Sequence, residues 1–454
     1  MLTELSLANF KSWRSIKGMR MAPITGLFGV NSSGKTSILQ LLLMLKQTAE
    51  SPDRAQALIF GDDKTPVRLG TFRDVVFGHN VSDPLSWSLT WRFGKPFRVT
   101  DPQDPAGRLL FASDSMQFDV QIREEAQGRI VVDRMAYRLG ENNFEMRLKA
   151  PGAKYDLAAV GTEFYFVRNV GRPWDLPAPV KCYGFPDEVK AYYQNAGFLA
   201  DLQLKFEQLL GATYYLGPLR DYPKREYPWA RAEPADMGQR GERVVEALLA
   251  AKETGRTISL GRGHTRRTLE EHVAWWLKQL GLIHDFHVEP VAKDSSLYRV
   301  KVQRSSSSAP VLITDVGFGV SQILPVIALC YYVPEGSTVI LEQPEIHLHP
   351  SVQAGLADVF IDVIKRRSVQ IIFESHSEHL LRRLQRRIAE EEIKPDQATL
   401  YFCDMPEGAS RITPLELDMF GHIANWPKDF FGDEFTEVVE ASLSAMKRKG
   451  AGGQ

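Results

Sequence analysis

Cysteine is scarce. Cys182, Cys330 and Cys403 are the only three in 454 residues and lie far apart. That excludes a disulfide framework and a Cys-x-x-Cys zinc site. A surplus of either charge is also missing: 55 Lys and Arg stand against 56 Asp and Glu, a net charge of -1. The chain as a whole is therefore no general polyanion binder, and any basic patch is local. Long apolar runs are missing too. The longest, Ile323 to Val333, falls short of the roughly 18 residues a membrane helix needs. The opening MLTELSLANFKSW carries no apolar signal segment. A soluble, cytoplasmic protein with no membrane partner is the expectation. No heptad pattern is sustained over several turns, which excludes a long coiled-coil arm.

What is present is an ordinary globular composition, 44% apolar and 24% charged, long enough for two or three domains at about 150 residues each. Four textures divide the chain. Residues 1–65 read as strand, strand, glycine-bearing loop and apolar helix. Residues 66–170 hold short alternating segments (SWSLTWRF, MQFDVQIR, RIVVDRMAYRL, NFEMRLKA) that suit an antiparallel β subdomain. Residues 171–310 read as a mainly helical insertion containing an irregular, surface-lying Tyr/Pro/Arg-rich stretch, YYLGPLRDYPKREYPW, with Pro186 to Leu210 helical and Ser305–Ser308 a hairpin tip or linker. From residue 311 strands and helices alternate, the pattern of a parallel sheet covered by helices.

Four motifs carry chemistry. Gly29-Val30-Asn31-Ser32-Ser33-Gly34-Lys35-Thr36, followed by Ser37, fits G-x-x-x-x-G-K-[ST] between a strand and a helix. Glycines let backbone amides wrap phosphates at a helix N-terminus, Lys35 reaches the β- and γ-phosphates, and the Thr36 hydroxyl takes a Mg²⁺ position. The apolar strand Thr338–Leu341 then runs into Glu342-Gln343-Pro344-Glu345-Ile346-His347-Leu348-His349-Pro350. A carboxylate at such a strand end faces Mg²⁺ and the attacking water, and Glu342 is the first available. His347 and His349 alternate as zinc ligands do but lack a third ligand nearby, so packing or hydrogen bonding is their expected role. Asp315-Val316-Gly317-Phe318-Gly319-Val320-Ser321-Gln322 opens an apolar helix, where Gly319 and Ser321 make either a backbone anion site or a plain helix cap. The strand Ile371–Phe373 ends in Glu374-Ser375-His376-Ser377, which puts His376 where a γ-phosphate-sensing histidine belongs.

In this order the motifs resemble the ABC-type ATPase heads of the SMC and RecF-like group. Within it the chain is similar to standalone ATPases of the OLD (overcoming lysogenization defect) superfamily. FKSW, GVNSSGKTS, DVGFGVSQ, EQPEIHLHP and ESHSEHLL carry the resemblance, along with YLGPLRDYP and the tail GHIANWPKDFFGDEF. It implies an α/β fold: an ABC-type P-loop head with a mixed sheet flanked by helices and a large β-rich plus helical insertion. It also implies ATP and Mg²⁺ as cofactors, a homodimer or higher oligomer in which Gly319 and Ser321 reach the partner's γ-phosphate, and His376 as the switch histidine. A role in anti-phage defence or DNA maintenance is implied by the resemblance alone.

Two departures set expectations. The group's acidic strand usually ends Asp-Glu, the second residue being the general base. Here the pair is Glu342-Gln343, and an amide takes no proton. Glu345 is the available substitute, but Pro344 fixes the backbone between the two positions, so Glu345 should point differently from Gln343 and slow hydrolysis is expected. A Toprim nuclease domain is not seen. The output is then coupling to a separate effector, a nuclease or toxin, or to nucleic acid. The alternative is a nucleotide-gated scaffold or sensor that sequesters such an effector with little turnover. Basic clusters (Arg382, Arg383, Arg386 and Arg387; Lys252, Arg256, Arg262, Arg266 and Arg267; Lys224, Arg225 and Arg231) read mainly as solvated faces, and otherwise as a duplex or protein surface. Arg220 is a candidate phosphate-side arginine.

Overall fold

In the computed structural model, residues 1–100, 106–125, 128–150, 154–171, 175–259, 265–427, Phe430 and Leu443 are described. Arg262 and most of the tail after Pro427 lie outside them. The chain opens with β1 (Leu2–Phe10), β2 (Trp13–Arg20), β3 (Ile24–Gly29) and α1 (Lys35–Glu50). After a single turn, α2 (Phe72–Val75), come β4 (Leu85–Thr100), β5 (Leu109–Glu124), β6 (Ile130–Leu139), β7 (Asn142–Ala150) and β8 (Lys154–Val160). Next are α3 (Glu188–Tyr192), α4 (Leu199–Gly211), β9 (Thr213–Leu216), β10 (Tyr227–Pro228), α5 (Val244–Glu253), β11 (Thr257–Ile258), β12 (Arg267–Thr268) and α6 (Leu269–Gln279). The remainder is β13 (Asp285–Pro290), β14 (Leu297–Gln303), β15 (Val311–Leu312), α7 (Phe318–Tyr332), β16 (Thr338–Glu342), α8 (Pro350–Arg367), β17 (Gln370–Glu374), α9 (Glu378–Ala389), β18 (Ala398–Asp404) and β19 (Arg411–Pro414).

One six-stranded sheet, in the order β19-β18-β3-β17-β16-β9, gathers strands from both ends of the chain. Five run parallel and β19 pairs antiparallel with β18. Parallel strands covered on both faces read as unbroken apolar runs, which is what ITGLFG, TVILE and QIIFE are. Their side chains split by period two between two cores. Val339, Leu341, Ile371, Phe373, Leu400 and Phe402 face the core built with α7 and α8. Ile340, Ile372, Tyr401 and Cys403 face the core built with α1 and the antiparallel strands. The predicted mixed α/β head is therefore observed.

The second large sheet, β2-β1-β4-β5-β6-β7-β8, is antiparallel throughout. It starts with the N-terminal hairpin, so residues 1–65 and 66–170 share a sheet and are not separate bodies. Likewise, Thr213–Leu216 inside the 171–310 segment is the edge strand of the head sheet, paired with β16. The stretch YYLGPLR thus begins inside the head, and only its later part is irregular surface. Pro186–Leu210 is two helices, because Asn195 breaks it and its side chain ties to the backbone of Val167 and Tyr165. Ser305–Ser308 is the tip of the β14–β15 hairpin, where the Ser308 hydroxyl accepts from the amides of Arg304 and Ser305.

Candidate nucleotide site

Parallel strands end at one edge, and four loops there bring the sequence motifs together. β3 delivers the Gly29–Gly34 loop. Gly29 adopts φ +130° and Gly34 φ +87°; a Cβ on Gly29 would lie 2.0 Å from the Cys403 carbonyl, and one on Gly34 2.5 Å from the Ser410 hydroxyl. Only glycine fits. The loop is buttressed from outside: the Trp13 indole donates to the Gly34 carbonyl at 3.0 Å, and Ser410 bonds Ser12 through its amide and its hydroxyl. FKSW therefore has a physical task, holding the loop from the turn between β1 and β2.

α1 begins at Lys35 with no side-chain cap and no acidic residue in its first turn, so its first amides and dipole are open to an anion. The Ser33 hydroxyl is buried without a partner. Lys35 is buried, and its ammonium donates back to the carbonyls of Gly29 (3.1 Å) and Val30 (2.7 Å). Burial lowers its pKa, while Glu374, Cys403 and Glu345 pull it up. A phosphate arriving here would take over the ammonium from the two carbonyls. These features fit a polyphosphate.

Next to the loop, β17 ends in Glu374, whose carboxylate accepts from the Thr36 hydroxyl at 2.7 Å. Thr36, paired in expectation with Glu342, is thus bound by a residue that the sequence reading passed over. Glu342 is in register with Glu374 one strand further out. The Tyr215 hydroxyl donates to it at 2.9 Å, and an Arg220 nitrogen donates to its carbonyl at 3.3 Å. Burial and the neighbouring Glu374 push the Glu342 carboxyl up to about 7, against the bond from Tyr215 and the charge of Arg220. Glu374 is raised by burial as well, opposed by Thr36 and Lys35.

Gln343 turns the chain with φ +43° while its amide continues the ladder to the Glu374 carbonyl. The turn throws Glu345 back across the strand ends. One Glu345 oxygen accepts the His376 amide at 2.7 Å; the other is buried without a partner. Burial raises the Glu345 carboxyl, opposed by the amides of His376 and Glu345 itself. The His376 ring is exposed at the edge, and burial of its inner side, together with Lys35, lowers its pKa. Three buried carboxylates against Lys35 and Arg220 leave room for one more cation. Among the described residues no group of three His, Cys, Asp or Glu side chains is set to hold a metal. Mg²⁺ needs no such cage, since one or two carboxylates, phosphate oxygens and water suffice.

Gly317 precedes α7, and the Ser321 hydroxyl closes on the Phe318 carbonyl at 2.8 Å. Among the described residues neither Gly319 nor Ser321 hydrogen-bonds the chain's own Gly29–Ser37 loop. Phe318 is exposed, edge-on to Tyr222 and His347. His349 caps α8 by accepting from the Ser351 amide, just before Pro350 at the helix's first position. Most of the arginine cluster on α9 is held within the chain: Arg383 and Arg387 by Asp358, Arg386 by Glu390, and Arg382 by Glu378 and over Trp426. Lys252 pairs with Glu270, Lys224 with Asp221, and Arg225 with Asp315. No helix of the described residues is long and apolar enough to cross a membrane.

Residues 273–382 match a family described as "AAA domain, putative AbiEii toxin, Type IV TA system", and residues 393–440 match a "Protein of unknown function (DUF3696)". The first match runs from within α6 into α9 and takes in α7, the acidic end of β16 and His376; the second covers β18, β19 and part of the tail. No curated protein matches the chain. Among solved structures, an SMC head bound to the C-winged helix domain of ScpA is 11% identical, with TM-score 0.46, 92% of this chain and 98% of that one covered. The SMC head domain from Thermotoga maritima is 10% identical, with TM-score 0.41 and coverages of 91% and 99%. A Pyrococcus furiosus Smc head domain with an extended coiled coil is 9% identical, with TM-score 0.45 and coverages of 92% and 96%. The P-loop sequence, the strand order and the AAA-domain match over residues 273–382 agree on the fold, that of an ABC-type P-loop head.

Proposed function

We propose that the chain binds ATP with Mg²⁺ at this edge and acts as an ATP-gated clamp that closes as a homodimer and turns over slowly. The observation that carries the reading is the convergence of Lys35, Thr36, Glu374, Glu342, Glu345 and His376, from three adjacent strand ends, on one edge of the head sheet. Lys35 would leave its own loop carbonyls for the β- and γ-phosphates, with the α1 amides around them. Thr36 and Glu342, with Glu374 behind Thr36, would hold Mg²⁺, which neutralises charge on the phosphate oxygens.

Gln343 at the usual base position orients water without taking its proton. Glu345, with one unpartnered oxygen beside His376, is the group that can accept it. Its other oxygen is tied to the His376 amide, which favours slow chemistry and a long-lived ATP state. Gly319 and Ser321, unused by their own P-loop, would close on the nucleotide of a second copy. The output would be coupling to a separate effector, a nuclease or toxin in anti-phage defence, or to nucleic acid in DNA maintenance. The toxin in the matched family's description supports the first. The runner-up, a scaffold or sensor with almost no turnover, draws on Gln343.

Multiple-turnover ATP hydrolysis by wild type, Lys35→Ala, Glu345→Gln and Gln343→Glu tests this. Lys35→Ala should abolish it, and Glu345→Gln should lower it about 10²- to 10⁴-fold, the range for losing a general base. Gln343→Glu should raise it. Equal rates in wild type and Glu345→Gln would remove Glu345 from the mechanism, and a rate of zero in all four would favour the scaffold.

A further inference from the structure

Arg220 is 6% exposed, yet among the described residues two of its guanidinium nitrogens, Nε and Nη1, have no hydrogen-bond partner. Nη2 donates to the Glu342 carbonyl, a neutral acceptor, at 3.3 Å. A buried cation in that condition is costly unless an anion completes it. Burial pulls its pKa down to about 10 even with Tyr215, Glu342 and Glu345 acting the other way. The carboxylates nearby do not bond it: Glu342 is taken by Tyr215, and the free Glu345 oxygen is itself unpartnered. Arg220 bonds Glu342 at the end of β16, Glu342 stands opposite Glu374, and Glu374 bonds Thr36 next to Lys35, so the two cations lie along the same sheet edge.

The loop that carries Arg220 is fixed on both sides. The Gly217 amide donates to Gln239 at 2.8 Å, and the Asp221 amide to Arg240 at 2.9 Å. The side chain is therefore pre-placed with two donors unfilled.

We propose that Arg220 is a γ-phosphate ligand supplied from the same subunit, which lets this site distinguish a nucleoside triphosphate from a diphosphate. This deepens the ATP reading above and rests on it. A guanidinium with unspent donors suits the oxygens of a terminal phosphate. ADP, lacking that phosphate, would leave those donors empty.

Calorimetric titration with Mg²⁺ and either ADP or a non-hydrolysable ATP analogue tests the assignment in the full chain. Wild type should prefer the triphosphate. Arg220→Gln should bind ADP as wild type does and lose roughly 10- to 100-fold of that preference, the range for a hydrogen bond to a charged group. Arg220→Lys, which keeps the charge and loses the fork, should fall between. If Arg220→Gln binds neither nucleotide, Arg220→Lys decides: an intermediate preference supports the assignment, and a wild-type preference overturns it. Equal preference in wild type and Arg220→Gln also overturns it, as does a wild type that binds both nucleotides equally. A wild type that binds neither overturns the ATP reading and this proposal together.

Discussion

Glu342 shows how burial sets the chemistry of the edge. Its carboxyl sits near 7 instead of the usual 4.5 because it is buried beside Glu374. The folded state therefore holds a proton that the unfolded chain gives up between about pH 4.5 and 7, and stability falls as pH rises through that window. Mg²⁺ needs the charged form, so its affinity should rise over the same window. We expect the nucleotide-free protein to melt at a lower temperature at pH 8 than at pH 6, and Mg²⁺ with ATP to shrink the difference. Thermal melts at the two pH values, with Glu342→Gln as the control that flattens the pH dependence, would check it. Glu374 escaped the sequence reading because in ESHS the histidine carries the more familiar signal. Its partner Thr36 lies 338 residues away in the chain, and no local pattern shows such a pairing.

At the scale of elements, the head is held together by polar ties as well as apolar faces. Gln370, at the start of β17, is 1% exposed and binds the backbone of Leu2 in both directions, the Ala22 carbonyl and the Thr338 hydroxyl. Gln370→Leu would strand the Leu2 amide and carbonyl between the two large sheets, each worth about 1–3 kcal/mol when left unpaired. A loss of a few kcal/mol in urea unfolding is the expected result. Gly34→Ala, which meets Ser410, Ser12 and Trp13 at a positive φ, should abolish nucleotide binding through the loop's shape; retained affinity in a titration would count against that role.

The sequence showed the apolar strands, the P-loop helix and the signature helix, because burial on all sides writes continuous apolar runs. It hid β9, four residues in a stretch rich in tyrosine, proline and arginine, and with it the task of Tyr215. It also hid the sharing of one sheet by β1 and β4, since register between distant strands leaves no local mark. The bond of Glu345 to the His376 amide was not legible either, because the reversal lies at Gln343, whose positive φ composition does not reveal.

For the whole molecule, the proposed clamp implies that one subunit presents half a site. The P-loop carries Val30, 48% exposed, and α7 opens with Phe318, 43% exposed beside Tyr222. Neither Gly319 nor Ser321 serves its own P-loop, so the account requires a second copy to finish the pocket when ATP is bound. Sedimentation velocity of the full chain with Mg²⁺ tests this most directly, run without nucleotide, with ADP and with ATP, beside Lys35→Ala and Ser321→Arg. The account predicts a monomer without nucleotide and with ADP, a dimer with ATP that persists in Glu345→Gln, and monomers for Lys35→Ala and Ser321→Arg throughout. A wild type that sediments the same in all three conditions, or a Ser321→Arg variant that still dimerises with ATP, would contradict it.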